Sequence, residues 1–393
     1  MVLPTLMMVQ FIRGKSYSKY VCLLLANILV CVFSSGQSLH QARALSLNTL
    51  SGTPTDRTFY QPQFFEDKSG RHFIVLNVKA KKSLEFYNYD NGNFFMRIDY
   101  GKELGDSFPI FGFYVLNFDS IFLQTSYVNN LILVDSTAKV ISNIDLHRID
   151  GYKKDCDIRS QTVSPFFISN NRVYLSSYNR IQKIDITIAK NYNDKFKANN
   201  IGWILDLSDM KIENTIGQYP SFYQKNYMQH FHAAYSSMDG WQDTTIFISP
   251  ISEEIYMYLT NKLIAIKPIR SLNVSPSRYS FDISKWYDDK YQKKVYLENG
   301  FYKKIIRDRQ ATNYYVFVAK SINVISSDGT YNSDLEREYS IIILNRELNV
   351  VKEIDINDKY LDFSCVFPVE RGFMVLKNLQ NGKLNFQQYV FSE

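Results

Sequence analysis

The chain has 393 residues, and its 45 Lys and Arg against 39 Asp and Glu leave a net charge of +6. The two signs are interleaved along the chain, which excludes the clustered basic stripe of a nucleic-acid-binding surface. Tyr (29) and Phe (28) are abundant while Gly (16) and Pro (10) are scarce, a balance that fits a large sheet-built core rather than a collagenous or disordered chain.

The first element in chain order is an export signal. Arg13, Lys15 and Lys19 precede an apolar run over residues 21–33. That run is short of the roughly 18 residues or more that a membrane-spanning helix needs, so residues 1–36 read as a signal peptide or N-terminal anchor. Ser34-Ser35-Gly36 offers small residues for cleavage before Gln37. The alternative start is Cys31 as a lipidated residue, for which Val30 is a poor match because that site favours a small side chain. Either way the expected location is the periplasm or cell envelope, with contact to a membrane only through this segment.

Residues 37–393 read as a single all-β domain. Short apolar runs bounded by Asn, Asp, Gly and Ser recur, with little helical periodicity. They group into six clusters at residues 59–100, 108–146, 162–207, 219–269, 301–356 and 361–391. A unit of about 60 residues exceeds the 40–45 of a compact four-stranded blade, so insertions are expected, at 147–159, 189–200 and 271–297. The reading is a six-bladed β-propeller, with seven blades as the alternative count and a two-sheet sandwich array as the fallback. A short helical turn is expected near residues 283–291. Asp90-Asn91-Gly92-Asn93, Ser169-Asn170-Asn171 and Asn381-Gly382-Lys383 supply residues tolerant of positive φ for hairpin turns. A propeller must close, and residues 45–50 or 59–65 are expected to complete the blade containing 384–391. Cys156, in a polar loop, and Cys365, in an apolar strand, are expected to be free thiols.

Several segments in order resemble a known family: Tyr60-Gln-Pro-Gln-Phe-Phe-Glu-Asp67, Leu84-Glu-Phe-Tyr-Asn-Tyr-Asp-Asn-Gly-Asn93, Phe118-Asp-Ser-Ile-Phe-Leu123, Tyr302-Lys-Lys-Ile-Ile-Arg-Asp-Arg-Gln310 with Asn313-Tyr-Tyr315, and Ile341 to Glu353. The chain is similar to an exported, propeller-like family of Bacteroidetes-type bacteria, domain-of-unknown-function family 4221, whose members are often lipoproteins. The resemblance implies a fold and an address, and no catalytic residue.

Candidate site residues are few. His230 and His232 share one face if they lie in a strand, so both imidazoles can meet one ligand. No third metal ligand stands at a recognised spacing; Asp239 and Asp243 are near in sequence, which does not by itself place them near in space. Arg307-Asp308-Arg309, followed by Tyr314-Tyr315, suits a carboxylate, phosphate or sugar through bidentate bonding and stacking. The plainer reading is a blade-edge turn with Arg and Asp paired in solvent. Asp90-Asn91-Gly92-Asn93 lacks the distal glutamate of a calcium loop. No nucleophile elbow, zinc-protease helix, phosphate loop or dinucleotide fingerprint is present, and no cofactor or bound metal is implied. The expected function is non-catalytic binding of an envelope protein or of a small-molecule or saccharide ligand. The alternative is a propeller hydrolase or lyase with a site in the central channel.

Overall fold

The structure is a computed structural model that describes residues 38–49, 60–105, 110–125, 130–152, 156–158, 164–179, 200–221, 223, 236–275, 282, 285, 288–310, 312–327, 329–358, 361–380 and 382–392. The chain divides into a large unit, Gln41–Tyr389, and a small one, Met1–His40 with Val390–Glu393. In the small unit the Ser392 hydroxyl donates to the Ser38 carbonyl at 3.3 Å.

The large unit is built mainly from strands, which form six antiparallel sheets. Strand β1 (Ser38–Asn48) comes first in sequence and belongs to the last blade. Blade one is β2 (Tyr60–Glu66), β3 (His72–Val78), β4 (Ser83–Asn88) and β5 (Phe94–Asp99). Blade two is β6 (Ile110–Asn117), β7 (Ser120–Thr125), β8 (Asn130–Val134) and β9 (Val140–Asp145). In blade three, β10 (Cys156–Ile158) and β11 (Phe167–Ser169) pair with successive halves of β12 (Arg172–Asn179), followed by β13 (Asn200–Asp206) and β14 (Lys211–Gln218). Blade four is β15 (Ser237–Trp241), β16 (Thr244–Ile248), β17 (Glu254–Leu259) and β18 (Lys262–Pro268). Blade five is β19 (Phe301–Arg307), β20 (Asn313–Ala319), β21 (Tyr339–Asn345) and β22 (Val350–Ile356). Blade six is β23 (Asp362–Pro368), β24 (Phe373–Gln380), β25 (Lys383–Ser392) and the returning β1.

The blades form a ring. Each first strand touches the first strand of the next blade, in the order β2, β6, β11, β15, β19, β23, and β23 touches β2 again. The burial pattern explains why the sequence folds this way. Middle strands are apolar on both faces: every residue of β20 (Asn-Tyr-Tyr-Val-Phe-Val-Ala) is buried, because blades pack on both sides of it. Outermost strands carry water on one face, and β18 (Lys-Leu-Ile-Ala-Ile-Lys-Pro) has no buried residue. The cores accordingly lie between blades. One joins Leu45, Leu47 and Leu384 of blade six to Ile74, Leu76 and Tyr87 of blade one, and burying such side chains stabilises each interface by about 1.5–3 kcal/mol apiece.

Ring closure uses the earlier of the two segments that the sequence suggests. Strand β1 supplies the outer strand of blade six, where Ser46 Oγ donates to Asn385 at 2.6 Å and Gln387 Nε2 to the Arg43 carbonyl at 2.9 Å. Of the later segment, the described residues from Tyr60 on instead open blade one as β2. Gly92 fits both its turn and this closure. Its φ is +72°, and a Cβ there would lie 2.1 Å from the Ser46 carbonyl oxygen of β1, so only glycine lets the β4–β5 turn lie under the closing strand. Asn170 and Asn171 take φ of +48° and +59° in the β11–β12 turn, as their place in the sequence requires.

Other expectations need correction. Cys156 lies in a short strand, β10, and not in a loop. Strand β14 falls between the third and fourth expected clusters. The helix runs Asp289–Glu298, later and longer than the expected turn, with the Asp288 carboxylate accepting from Tyr291 N at 3.0 Å as its N-cap. Cys365 is buried in β23 and in no disulfide.

Candidate functional site at the channel mouth

The first strands of neighbouring blades splay apart around the channel and cannot continue one another's backbone ladders, so their polar groups need other partners. Side chains from the adjoining blade supply them. Gln63 of β2 donates to the Val115 carbonyl at 3.1 Å and accepts from Val115 N at 2.8 Å, imitating a strand pair with β6. Ser237 and Asp239 of β15 accept from Ile305 N at 3.0 Å and Arg307 N at 2.7 Å on β19. Lys304 Nζ donates to the Val366 carbonyl of β23 at 2.7 Å. Arg309 reaches the Phe64 carbonyl of β2 at 3.2 Å.

A cavity of about 310 Å³ opens where β11, β15, β19 and β23 end. Every blade contributes to its wall through its first strand. Among the described lining residues the ionisable acids and bases are Lys304, Arg307 and Arg309 against Asp239, an excess of two positive charges. The rest is mainly aromatic or apolar, including Phe64, Tyr114, Phe166, Phe167 and Trp241.

Each guanidinium at the mouth is backed by a ring. Arg307 lies 4.7 Å from the centre of Trp241 and Arg309 5.0 Å from that of Phe64, an arrangement that orients the fork while leaving its N–H groups for an acceptor. Burial lowers the Arg307 guanidinium from its ordinary value, against the opposing charge of Asp239. Burial likewise raises the Asp239 carboxyl, although Arg307 N, the Arg307 charge and Gly240 N, which donates to it at 2.7 Å, favour the ionised form. Lys304 is 5% exposed, and burial holds its ammonium down at about 8, with Cys365 and Asp239 opposing that shift. Burial also raises the Tyr114 hydroxyl, whose largest opposing influence is Arg309.

Arg307 and Arg309 therefore belong to the channel and not to a blade edge. Asp308 between them does not pair with either in solvent; it is buried and accepts from Thr312 N at 3.0 Å and Thr312 Oγ1 at 2.9 Å. Asp239 and Asp243 go separate ways, the second pairing with Arg172 at 3.4 Å outside the cavity. His230, His232 and Cys31 lie outside the described residues. Lys304, Trp241 and Phe64 were not legible as site residues, and Asp239 stood out only as a possible companion of the histidines. The usable signal was position, since the first strand of each cluster lines a propeller's channel.

The ring of six blades, five of four strands and one of five, with a cavity where its inner strands converge, makes the protein a six-bladed β-propeller. It belongs to the family described as "Domain of unknown function (DUF4221)", which the chain matches over residues 48–355. The crystal structure of a family member from Bacteroides vulgatus is similar over 91% of this chain and 98% of its own, with a TM-score of 0.69 and 15% identity. A Bacteroides fragilis protein taken for an exported one is similar over 89% of this chain and 95% of its own, with a TM-score of 0.55 and 9% identity. No curated protein matches the chain. Among the described residues no helix is long and apolar enough to cross a membrane.

Proposed function

We propose that the protein is an exported, non-catalytic binding module of the cell envelope that holds a small anionic ligand at the mouth of its central channel. The observation that carries this reading is the pair of ring-backed arginines in a cavity with two positive charges in excess. Positive charge in a partly dry cavity attracts an anion more strongly than the same charge on an open surface, and aromatic walls suit the apolar body of an organic acid or sugar acid. The N-terminal apolar segment of residues 21–33 supports export.

The test is a thermal-shift and calorimetric screen of carboxylates, phosphates and uronates against neutral sugars of matched size. Anions are expected to raise Tm, less so at high salt, and replacing both arginines, Arg307→Gln with Arg309→Gln, is expected to remove most of the shift. Equal stabilisation by neutral sugars, or none by any anion, overturns the reading.

A further inference from the structure

The two arginines at the mouth leave one strand end in opposite directions. Arg307 ends β19 in blade five and folds back onto Trp241 of blade four. Arg309, two residues on, passes blade six, where its own N–H donates to the Val369 carbonyl at 3.3 Å, and seats its guanidinium against Phe64 of blade one. Blades four and one are three steps apart in a ring of six, so the two guanidiniums lean on opposite walls of one cavity. Among the described residues, the Arg307 guanidinium makes no hydrogen bond, and that of Arg309 makes one, to Phe64 O. Two separated forks, each held by a ring and each with donors to spare, match a ligand with an anionic group at either end better than one compact anion.

Resting on the anion-binding reading above, we infer that the ligand class is a small dicarboxylate spanning the channel mouth, one carboxylate on Arg307 and the other on Arg309. The excess of two positive charges among the described lining residues equals the charge such a ligand brings. The planar fork of arginine accepts a carboxylate through two parallel N–H donors. Once one end is bound, the second carboxylate sits at high effective concentration before the second arginine. The apolar wall between them accommodates the methylene or aromatic spacer.

The experiment is calorimetric titration of the full chain with α,ω-dicarboxylates of increasing length, each beside the monocarboxylate of equal carbon number. The expected result is an optimum length at which the dicarboxylate binds at least about tenfold more tightly, the difference that one further charge-assisted pair makes. Arg307→Gln and Arg309→Gln are each expected to lower dicarboxylate affinity to the monocarboxylate level while leaving monocarboxylate binding within about threefold, because the other arginine still takes it. The length series needs no variant, so it stands even if Arg309→Gln loosens the contact with blade one. Equal affinity for both acids at every length overturns the two-ended ligand but leaves an anion site. Loss of both acids on a single substitution likewise points to one compact subsite and overturns it. If neither acid binds and other anions do not either, the anion-binding reading falls as well.

Discussion

At the scale of single residues, Lys304 is the most exposed to test. Its ammonium is buried, and its pKa falls from 10.5 to about 8, so the folded protein binds fewer protons than the unfolded chain between those values. Stability is therefore lowest below about pH 8 and rises as pH climbs from there towards 10.5. The penalty at pH 7 is on the order of 3 kcal/mol. Lys304→Met removes it and loses the bond to Val366 O, worth about 1–2 kcal/mol. The expected net effect at pH 7 is a gain of about 1–2 kcal/mol in chemical denaturation, shrinking or reversing by pH 10. The same residue sets a pH dependence of binding. Anion affinity is expected to weaken as pH rises through about 8, where the cavity loses one positive charge, and this step is expected to vanish in Lys304→Met. A wild-type affinity that is flat from pH 7 to 9 contradicts that role.

Among the elements, the long β20–β21 connection returns to the body of the protein through an ionic cluster in which buried Lys303 and Arg337 flank half-buried Asp334. Lys303 Nζ lies 2.6 Å from Asp334 Oδ2 and 2.8 Å from Tyr339 Oη. Arg337, 4% exposed, lies 2.8 Å from Asp334 Oδ1 and donates to the carbonyls of Tyr296, Asn299 and Lys320, closing the C-terminal end of the helix Asp289–Glu298. Burial alone raises the Asp334 carboxyl, but Lys303 and then Arg337 outweigh it and hold its pKa at about 2. The folded value lies below the unfolded 3.8, so this contribution is present above about pH 4 and is lost as pH falls through about 2. Asp334→Asn leaves the Lys303 ammonium buried without its carboxylate and is expected to cost about 3–5 kcal/mol. Replacing both partners, Lys303→Met with Asp334→Leu, is expected to recover most of it. A loss below about 1 kcal/mol in the single variant means that the cluster contributes little.

The elements also show what the sequence could reveal. Strands such as β20 and β21 were legible because burial on both faces demands unbroken apolar runs. Strand β14 (Lys-Ile-Glu-Asn-Thr-Ile-Gly-Gln) is an outer strand whose central Glu-Asn-Thr is half-buried and polar, and three-residue β10 carries too little pattern to register. Arg307 and Arg309 stood out because only Asp308 separates them in sequence. Trp241 and Phe64 did not, since a propeller takes its site residues from separate blades and leaves no local spacing. Asp239 also serves two ends at once, tying β15 to the backbone of β19 and facing the channel.

For the whole molecule, the ring makes each blade depend on two neighbours, and the first and last strands in sequence meet in blade six. Truncation after Leu376 removes β25 and with it the seat of β1, stripping Leu384 and Phe386 from the core shared by blades six and one. The expected outcome is loss of cooperative melting for the entire propeller rather than of one blade. A truncated chain that melts cooperatively near the full-length Tm contradicts closure by β1. The same closure keeps blades one and four facing each other across the channel, and so sets the separation of the two arginines. Crystals soaked in bromide test most directly whether that mouth is an anion site, because anomalous scattering reports the anion without knowledge of the natural ligand. Bromide beside the Arg307 and Arg309 guanidiniums, displaced by the best-binding dicarboxylate, is the expected result. A channel mouth without bromide, in crystals where surface cations hold it, contradicts the assignment.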